Sequence, residues 1–106
     1  MALTREFKHT MKARADVDPA FRAALLSDAV ELLLAGDIET GKAVLRSFIN
    51  ATVGFEELGT SSGIPAKSLM RMFGPKGNPT AASLFAVISA LQKMTGVQLE
   101  VSAEAA

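Results

Sequence analysis

Three cationic side chains lie close together in the second half of the chain: Lys67, Arg71 and Lys76. Lys67 and Arg71 occupy outward positions of a short helix predicted over residues 66–73, whose inward positions are apolar. Lys76 follows in a loop rich in glycine and proline. Ammonium and guanidinium groups bind phosphate and carboxylate oxygens. The pattern therefore favours the binding of an anionic partner.

Side chains that could carry out catalysis show no recognisable arrangement. The chain has no cysteine and a single histidine, which excludes thiolate chemistry and a zinc cluster. Its Ser27-Asp28 and Ser61-Ser62 pairs fit a helix surface and a helix end better than a nucleophile with its base. We expect no catalytic residue, no metal, no cofactor and no small-molecule substrate.

The helix at residues 66–73 is predicted to be the second of two short helices separated by a glycine. The first covers residues 55–62 and has the spacing of a half-buried helix. Gly63 supplies the left-handed conformation that ends such a helix. Pro65 allows the second helix to begin, because its fixed φ and missing N–H are tolerated at a helix start. The pattern predicts a helix-turn-helix over residues 55–73.

Gly59 lies inside the first of these helices, where a glycine costs about 1 kcal/mol relative to alanine. A close crossing of the two helices accounts for that cost, because the contact position then accepts only a very small side chain. Helix pairs with the same angle also occur as purely structural units, so the motif alone does not decide the function.

Three further helices are predicted to support the motif, with Asp18, Asp37 and Thr80 as their N-cap residues. In the second of them, Lys42 is predicted to face outward. The first carries more apolar positions than one neighbour covers, which implies a second contact surface: the rest of the core, which we favour, or a groove for a second copy or a partner. The predicted inward positions are Phe21, Leu25, Ala29, Leu32 and Leu33, then Ile38, Val44, Leu45, Phe48 and Ile49, then Leu84, Phe85, Val87, Ile88, Leu91 and Met94.

The two ends of the chain are predicted to differ from this helical body. Residues 1–17 are basic with little periodicity, so we expect an arm of weak or conditional order that is solvated, contacts phosphate or orders on a protein partner. Residues 97–101 alternate between apolar and polar, which predicts a strand that pairs within the chain, with a second copy or with a partner's sheet edge. The predicted division is an arm over 1–17, one domain over 18–101 and a tail over 102–106.

The formal net charge is zero, with 11 basic and 11 acidic residues. Residues 55–94 nevertheless hold four cations and two carboxylates, which leaves an excess of two positive charges. Local charge matters more than the total for a small module that docks through one face. No apolar run approaches the roughly 18 residues of a membrane span, and residues 1–7 lack the apolar core of a signal peptide. We expect a cytoplasmic protein with no membrane contact.

The order of these elements makes residues 38–95 similar to the Xre or lambda-repressor-like helix-turn-helix domain. Within that superfamily, residues 21–101 resemble the HigA-type addiction module antidote family through the segments LLAGDIETGKAVLR, GFEELG, KSLMRMFGPKGNPTA and LFAVISALQKMTGVQLEV. The resemblance implies an all-α fold, namely a five-helix lambda-repressor-like domain with a short C-terminal β-strand. It also implies an antitoxin that neutralises a small RelE-like toxin and represses its own operon.

The resemblance assigns contacts with bases in the major groove by position. Arg71 is the best candidate for a bidentate bond to guanine O6 and N7, and Lys67 shares that role or binds phosphate. Met70 and Ala66 can meet thymine methyl groups. The complete set of predicted base-contacting residues is Pro65, Ala66, Lys67, Met70 and Arg71.

Contacts with the phosphate backbone are assigned in the same way to Ser68, Lys76 and Thr80. Such contacts fix the register of the protein on the duplex without reading its sequence. Phe55 stands where many members of the superfamily have a glutamine that touches phosphate.

Two functions of different classes follow. The first is a sequence-specific regulator that binds double-stranded operator DNA as a homodimer, with recognition helices about 34 Å apart. Its toxin partner would bind a separate surface, for which the arm and the helix from Phe21 to Leu34 are the places to examine. The alternative is a protein-interaction module that keeps the fold without reading DNA, which Phe55 and the small positive excess favour. Salt-dependent duplex binding distinguishes the two, because counterion release is required only for the first.

Overall fold

Helices account for all the regular secondary structure in the computed structural model, which describes the backbone of residues 5–105 and the side chains of residues 10–105. No strand is present in this range, which confirms the all-α class. Within the same range, no helix is long and apolar enough to cross a membrane. The helices are α1 (Arg5–Val17), α2 (Pro19–Leu34), α3 (Ile38–Ala51), α4 (Gly54–Ser62), α5 (Ala66–Met72) and α6 (Ala81–Thr95).

Side-chain caps set the starts of α2, α3 and α6. In each case a side-chain oxygen accepts a hydrogen bond from the backbone N–H three residues later, which satisfies one of the unpaired donors of the first turn. The three predicted caps are thereby confirmed. The bonds join Asp18 to the N–H of Phe21 at 3.1 Å, Asp37 to that of Thr40 at 3.3 Å, and Thr80 to that of Ser83 at 3.1 Å.

Helix α3 lies at the centre of the packing, in contact with α1, α2 and α4. Its Leu45, Phe48 and Ile49 side chains are fully buried. They belong to one apolar cluster that draws on every helix from α2 to α6, so the core is continuous from α2 to the end of α6. Its other fully buried members are Leu26, Ala29, Leu58, Leu69, Val87 and Leu91.

Helix α1 occupies most of the segment that the sequence predicted to be a weakly ordered arm. Arg5–Val17 is helical, and it packs against α2 and α3. Ala15 is buried and Met11 is half-buried, and their spacing of four residues places them on one side of the helix. The prediction gave weight to the basic charge of the segment and missed this narrow apolar stripe. Residues 1–4 of the predicted arm lie outside the described part of the chain.

Polar contacts also join α1 to its neighbours. The Lys12 ammonium donates a hydrogen bond to the carbonyl oxygen of Thr52, just past the end of α3, at 3.3 Å. The Arg22 guanidinium of α2 donates to the carbonyl oxygen of Ala15. Cations placed at the C-terminal ends of helices interact favourably with the unpaired carbonyl groups there.

The strand predicted over residues 97–101 is absent from the structure. Val97 is buried and Leu99 is half-buried while the residues between and after them are exposed, so the alternation reflects packing against the core. The backbone N–H of Leu99 donates to the side-chain oxygen of Gln92 at 2.9 Å, where a strand would require a neighbouring backbone. Residues 102–105 of the predicted tail are exposed and irregular, and the last residue lies outside the described part.

Three side chains have the opposite accessibility to the one predicted. Ile38 is 44% exposed at the start of α3, and Phe85 is 65% exposed on α6. Helix α6 is apolar almost all round, so its pattern could not select one buried face. Lys42, predicted to face outward, is 3% exposed because its ammonium has backbone acceptors beneath the loop that follows α5.

We expect Leu26→Ala to lower the free energy of unfolding by about 2–5 kcal/mol, because it removes a fully buried side chain and leaves a cavity. Leu34→Ala is the matched control in the same helix, because Leu34 is 77% exposed, and its effect should stay within about 0.5 kcal/mol. Urea unfolding followed by circular dichroism measures both. Similar losses for the two variants would contradict the orientation of α2.

Candidate nucleic-acid interface

The turn between α4 and α5 is built on a glycine in the left-handed conformation. Gly63 has φ 76° and ψ 10°, and its N–H donates to the carbonyl oxygen of Gly59 at 3.0 Å. A side chain at this φ would clash with its own backbone, so glycine is the residue that fits. Pro65 then precedes α5 as its N-cap residue, with φ −55° and ψ 140°. The predicted helix end and restart are both confirmed.

Helix α4 also approaches the backbone of this turn closely at Gly59. A Cβ atom added there would lie 3.0 Å from the carbonyl oxygen of Ile64 and 3.1 Å from the backbone nitrogen of Ala66. Both are backbone atoms, which cannot rotate away as a side chain can. The close approach predicted from this glycine is confirmed, and its partner is the turn with the first residue of α5.

The outer face of α5 carries two of the predicted cationic residues. Lys67, Met70 and Arg71 are all exposed, and their spacing of three and four residues places them on one face of the helix. Leu69 is fully buried on the opposite face, and Phe73, just past the helix end, is also buried. The core therefore holds the inner side of α5 while its cations face the solvent.

The other predicted residues of this segment differ in their accessibility. Pro65 is exposed at the start of the helix, whereas Ala66 and Ser68 are half-buried. Ala66 lies against α4 near Gly59, which limits the apolar contact that it can offer to a partner. The structure thus places three of the predicted base-contacting residues, Lys67, Met70 and Arg71, on one exposed face, with Pro65 at the helix start and Ala66 against α4. Their contacts with bases stay a prediction.

Lys76 lies in a loop that folds back over the C-terminal end of α5. The N–H of Gly77 donates to the carbonyl oxygen of Gly74 at 3.0 Å, which closes a tight turn around Lys76. A Cβ atom at Gly77 would collide with the carbonyl groups of Arg71 and Met72. The loop is therefore packed directly on the end of the helix, and it presents the exposed Lys76 next to α5.

The buried Lys42 of α3 is bonded to this loop, a role that the sequence analysis did not identify. Its ammonium donates to the carbonyl oxygen of Gly77 at 2.6 Å and to that of Gly74 at 3.4 Å, and it lies 3.3 Å from a carboxylate oxygen of Glu39. The two carbonyl groups are 35 and 32 residues further along the chain. No local pattern in the sequence could have revealed partners at that distance.

Thr80 has a structural role at the start of α6. Its hydroxyl oxygen accepts a hydrogen bond from the N–H of Ser83, and the hydroxyl group bonds to the hydroxyl of Ser83 at 3.1 Å. The residue is exposed, so the first turn of α6 is accessible. The contact with phosphate predicted for Thr80 would have to coexist with this cap.

The surface beside the turn is not uniformly positive. Glu56 lines a shallow open groove between α4 and α5 together with Gly59, Pro65 and Ala66. Phe55, at the second position of α4, is buried in the core and presents no polar group to a partner. The positive charge of the candidate interface is therefore concentrated on the face of α5 and the loop after it.

Comparison with protein-family models, with curated proteins and with solved structures gives no match for this chain. These comparisons assign no family and no function to the chain.

We expect Gly59→Val to lower the free energy of unfolding by about 1–3 kcal/mol, because the added side chain meets backbone atoms that must shift. Ser61→Val is the matched control, since it introduces the same side chain at an exposed position of α4. Thermal unfolding of both variants measures the difference. Equal stability of the two variants would contradict the close approach of α4 to the start of α5.

Proposed function

We propose that the protein is a sequence-specific DNA-binding transcriptional regulator with a lambda-repressor-like helix-turn-helix domain. The observation that carries the proposal is the outer face of α5, where Lys67, Met70 and Arg71 are exposed together on a short helix whose inner side is held by the core. A helix presented in this way fits the major groove of B-form DNA, which is wide enough to admit an α-helix.

The side chains of this face divide into base-reading and positioning groups. Arg71 can form two parallel bonds with guanine O6 and N7, which is the commonest sequence-specific contact. Lys67 lies one turn earlier on the same face, where it can share that role or bind phosphate. Met70 offers an apolar surface to thymine methyl groups between them. The phosphate backbone would be bound by Lys76, by Ser68 and by the first turn of α6 at Thr80. These contacts would fix the register of the protein on the duplex.

The wider proposal is an antitoxin of a type II toxin-antitoxin module that represses its own operon as a homodimer. Its support is the resemblance of residues 21–101 to the HigA-type antidote family. A two-fold dimer would place two copies of α5 about one helical turn of DNA apart on a palindromic operator. The resemblance also implies a small RelE-like toxin as partner, and we propose that it binds α1 or α2.

A second candidate is a protein-interaction module that has the same fold but does not read DNA. Two observations favour it. The buried Phe55 occupies the position from which many members of the resembled superfamily contact phosphate, and Glu56 places a carboxylate in the groove beside the start of α5. Such a module would bind duplexes weakly and without sequence preference.

The test is the affinity for a duplex from the region upstream of the coding sequence, against a scrambled duplex, over a series of salt concentrations. We expect Arg71→Ala to weaken binding to the upstream duplex about 5- to 150-fold, because it removes a bidentate base contact worth about 1–3 kcal/mol. Lys67→Ala should also weaken it. Lys76→Ala should weaken binding to both duplexes equally. It should also lower the salt dependence of the affinity by the amount expected for about one phosphate contact.

Lys93→Ala is the control for the loss of a positive charge. Lys93 is exposed near the C-terminal end of α6, about 20 Å along the helix from Thr80, which is beyond the screening length at physiological salt. Its removal should leave both affinities unchanged. Binding that is absent, or weak and indifferent to Lys67→Ala and Arg71→Ala, would overturn the proposal in favour of the protein-interaction module.

A further inference from the structure

Lys42 is a buried cation that the proposed contacts with DNA do not use. It is 3% exposed, so its ammonium cannot reach a phosphate or a base without rearrangement of the fold. An ammonium group has three N–H donors and no acceptor. Three oxygen atoms surround this one, on Gly74, Gly77 and Glu39, at distances from 2.6 to 3.4 Å. The site therefore matches a lysine in both charge and number of acceptors.

The positions of these acceptors show what the lysine holds. Gly74 and Gly77 lie on either side of Lys76, so both ends of the turn that carries Lys76 are bonded to one buried group. Gly77 is also packed against the last carbonyl groups of α5, where any larger residue would collide. The backbone at Lys76 is thereby fixed both to α3 and to the end of α5.

We propose that Lys42 is a positioning residue of the DNA interface, which immobilises the turn of residues 74–77 so that Lys76 meets phosphate at a fixed distance from Arg71. The inference rests on the proposed function and adds a buried residue to its machinery. A loop that is ordered before binding avoids the loss of conformational freedom that a mobile loop would suffer on the duplex. Lys42 therefore strengthens binding without touching the DNA.

The mobility of the turn in the free protein tests, without any DNA, whether Lys42 immobilises residues 74–77. In the wild type, the ¹⁵N order parameter of the Lys76 amide should be close to that of the helices, about 0.85, and it should fall towards about 0.6 in Lys42→Met. Lys93→Met is the matched control, because it makes the same substitution at an exposed lysine, and it should leave the turn unchanged. The ammonium protons of Lys42 should also exchange with water far more slowly than those of Lys93 in the wild type.

Duplex binding tests whether Lys42 strengthens the contact of Lys76 with phosphate. Lys42→Met should weaken the wild-type affinity to about the same extent as Lys76→Ala, and it should lower the salt dependence by about one phosphate contact. In a Lys76→Ala background, Lys42→Met should have an effect of less than about twofold, because the two residues act through the same contact. If Lys42 only stabilised the fold, Lys42→Met would weaken binding equally in both backgrounds.

Each outcome supports or overturns the inference. A mobile Lys76 turn in the wild type, or rapid exchange of the Lys42 ammonium protons, overturns it even if Lys42→Met fails to fold. Unchanged duplex affinity in a folded Lys42→Met, or equal losses in the two backgrounds, overturns it as well. If the wild type binds no duplex, the proposed function fails separately and the positioning role in DNA binding fails with it, while the mobility measurement decides whether Lys42 holds the turn.

Discussion

The close approach of α4 to the backbone at the start of α5 is the constraint on which the candidate interface depends. At Gly59, an added Cβ atom would lie 3.0 Å from the carbonyl oxygen of Ile64, so a side chain there would push the two segments apart by a few tenths of an ångström. The approach sets the direction in which α5 leaves the turn, and the buried Leu69 holds its inner side in the core. Lys67 and Arg71 face outward as a consequence, because they lie on the opposite side of the same short helix.

A chain without net charge can bind a polyanion only if its cations are concentrated on one surface and held there. Three of the eleven cations, Lys67, Arg71 and Lys76, lie on α5 and the loop after it, which folds onto the helix end and is bonded to Lys42. The positions of Arg71 and Lys76 are then fixed relative to each other by the main chain. In the proposed function, this packing links the residue that reads bases to the residue that sets the register.

The features that could be predicted from the sequence are those that depend on neighbouring residues. Caps such as Asp18 and the left-handed turn at Gly63 act within a few residues, so their patterns are visible in the sequence and the structure confirms them. The exposed face of α5 follows from a similarly local period. The prediction for Lys42 is wrong because the two backbone carbonyl groups that accept its hydrogen bonds are more than 30 residues away. The strand at residues 97–101 was wrong because a segment that packs irregularly on a core can show the same alternation as a strand.

The most direct test of the central claim, that the outer face of α5 binds DNA, is an NMR titration of the ¹⁵N-labelled protein with the upstream duplex. We expect shift changes concentrated at the backbone amides of residues 66–71, at Lys76 and at Thr80, with a much weaker response from the same protein mixed with scrambled DNA. Shift changes that are absent from α5, or that are confined to α1 and α2, would contradict it.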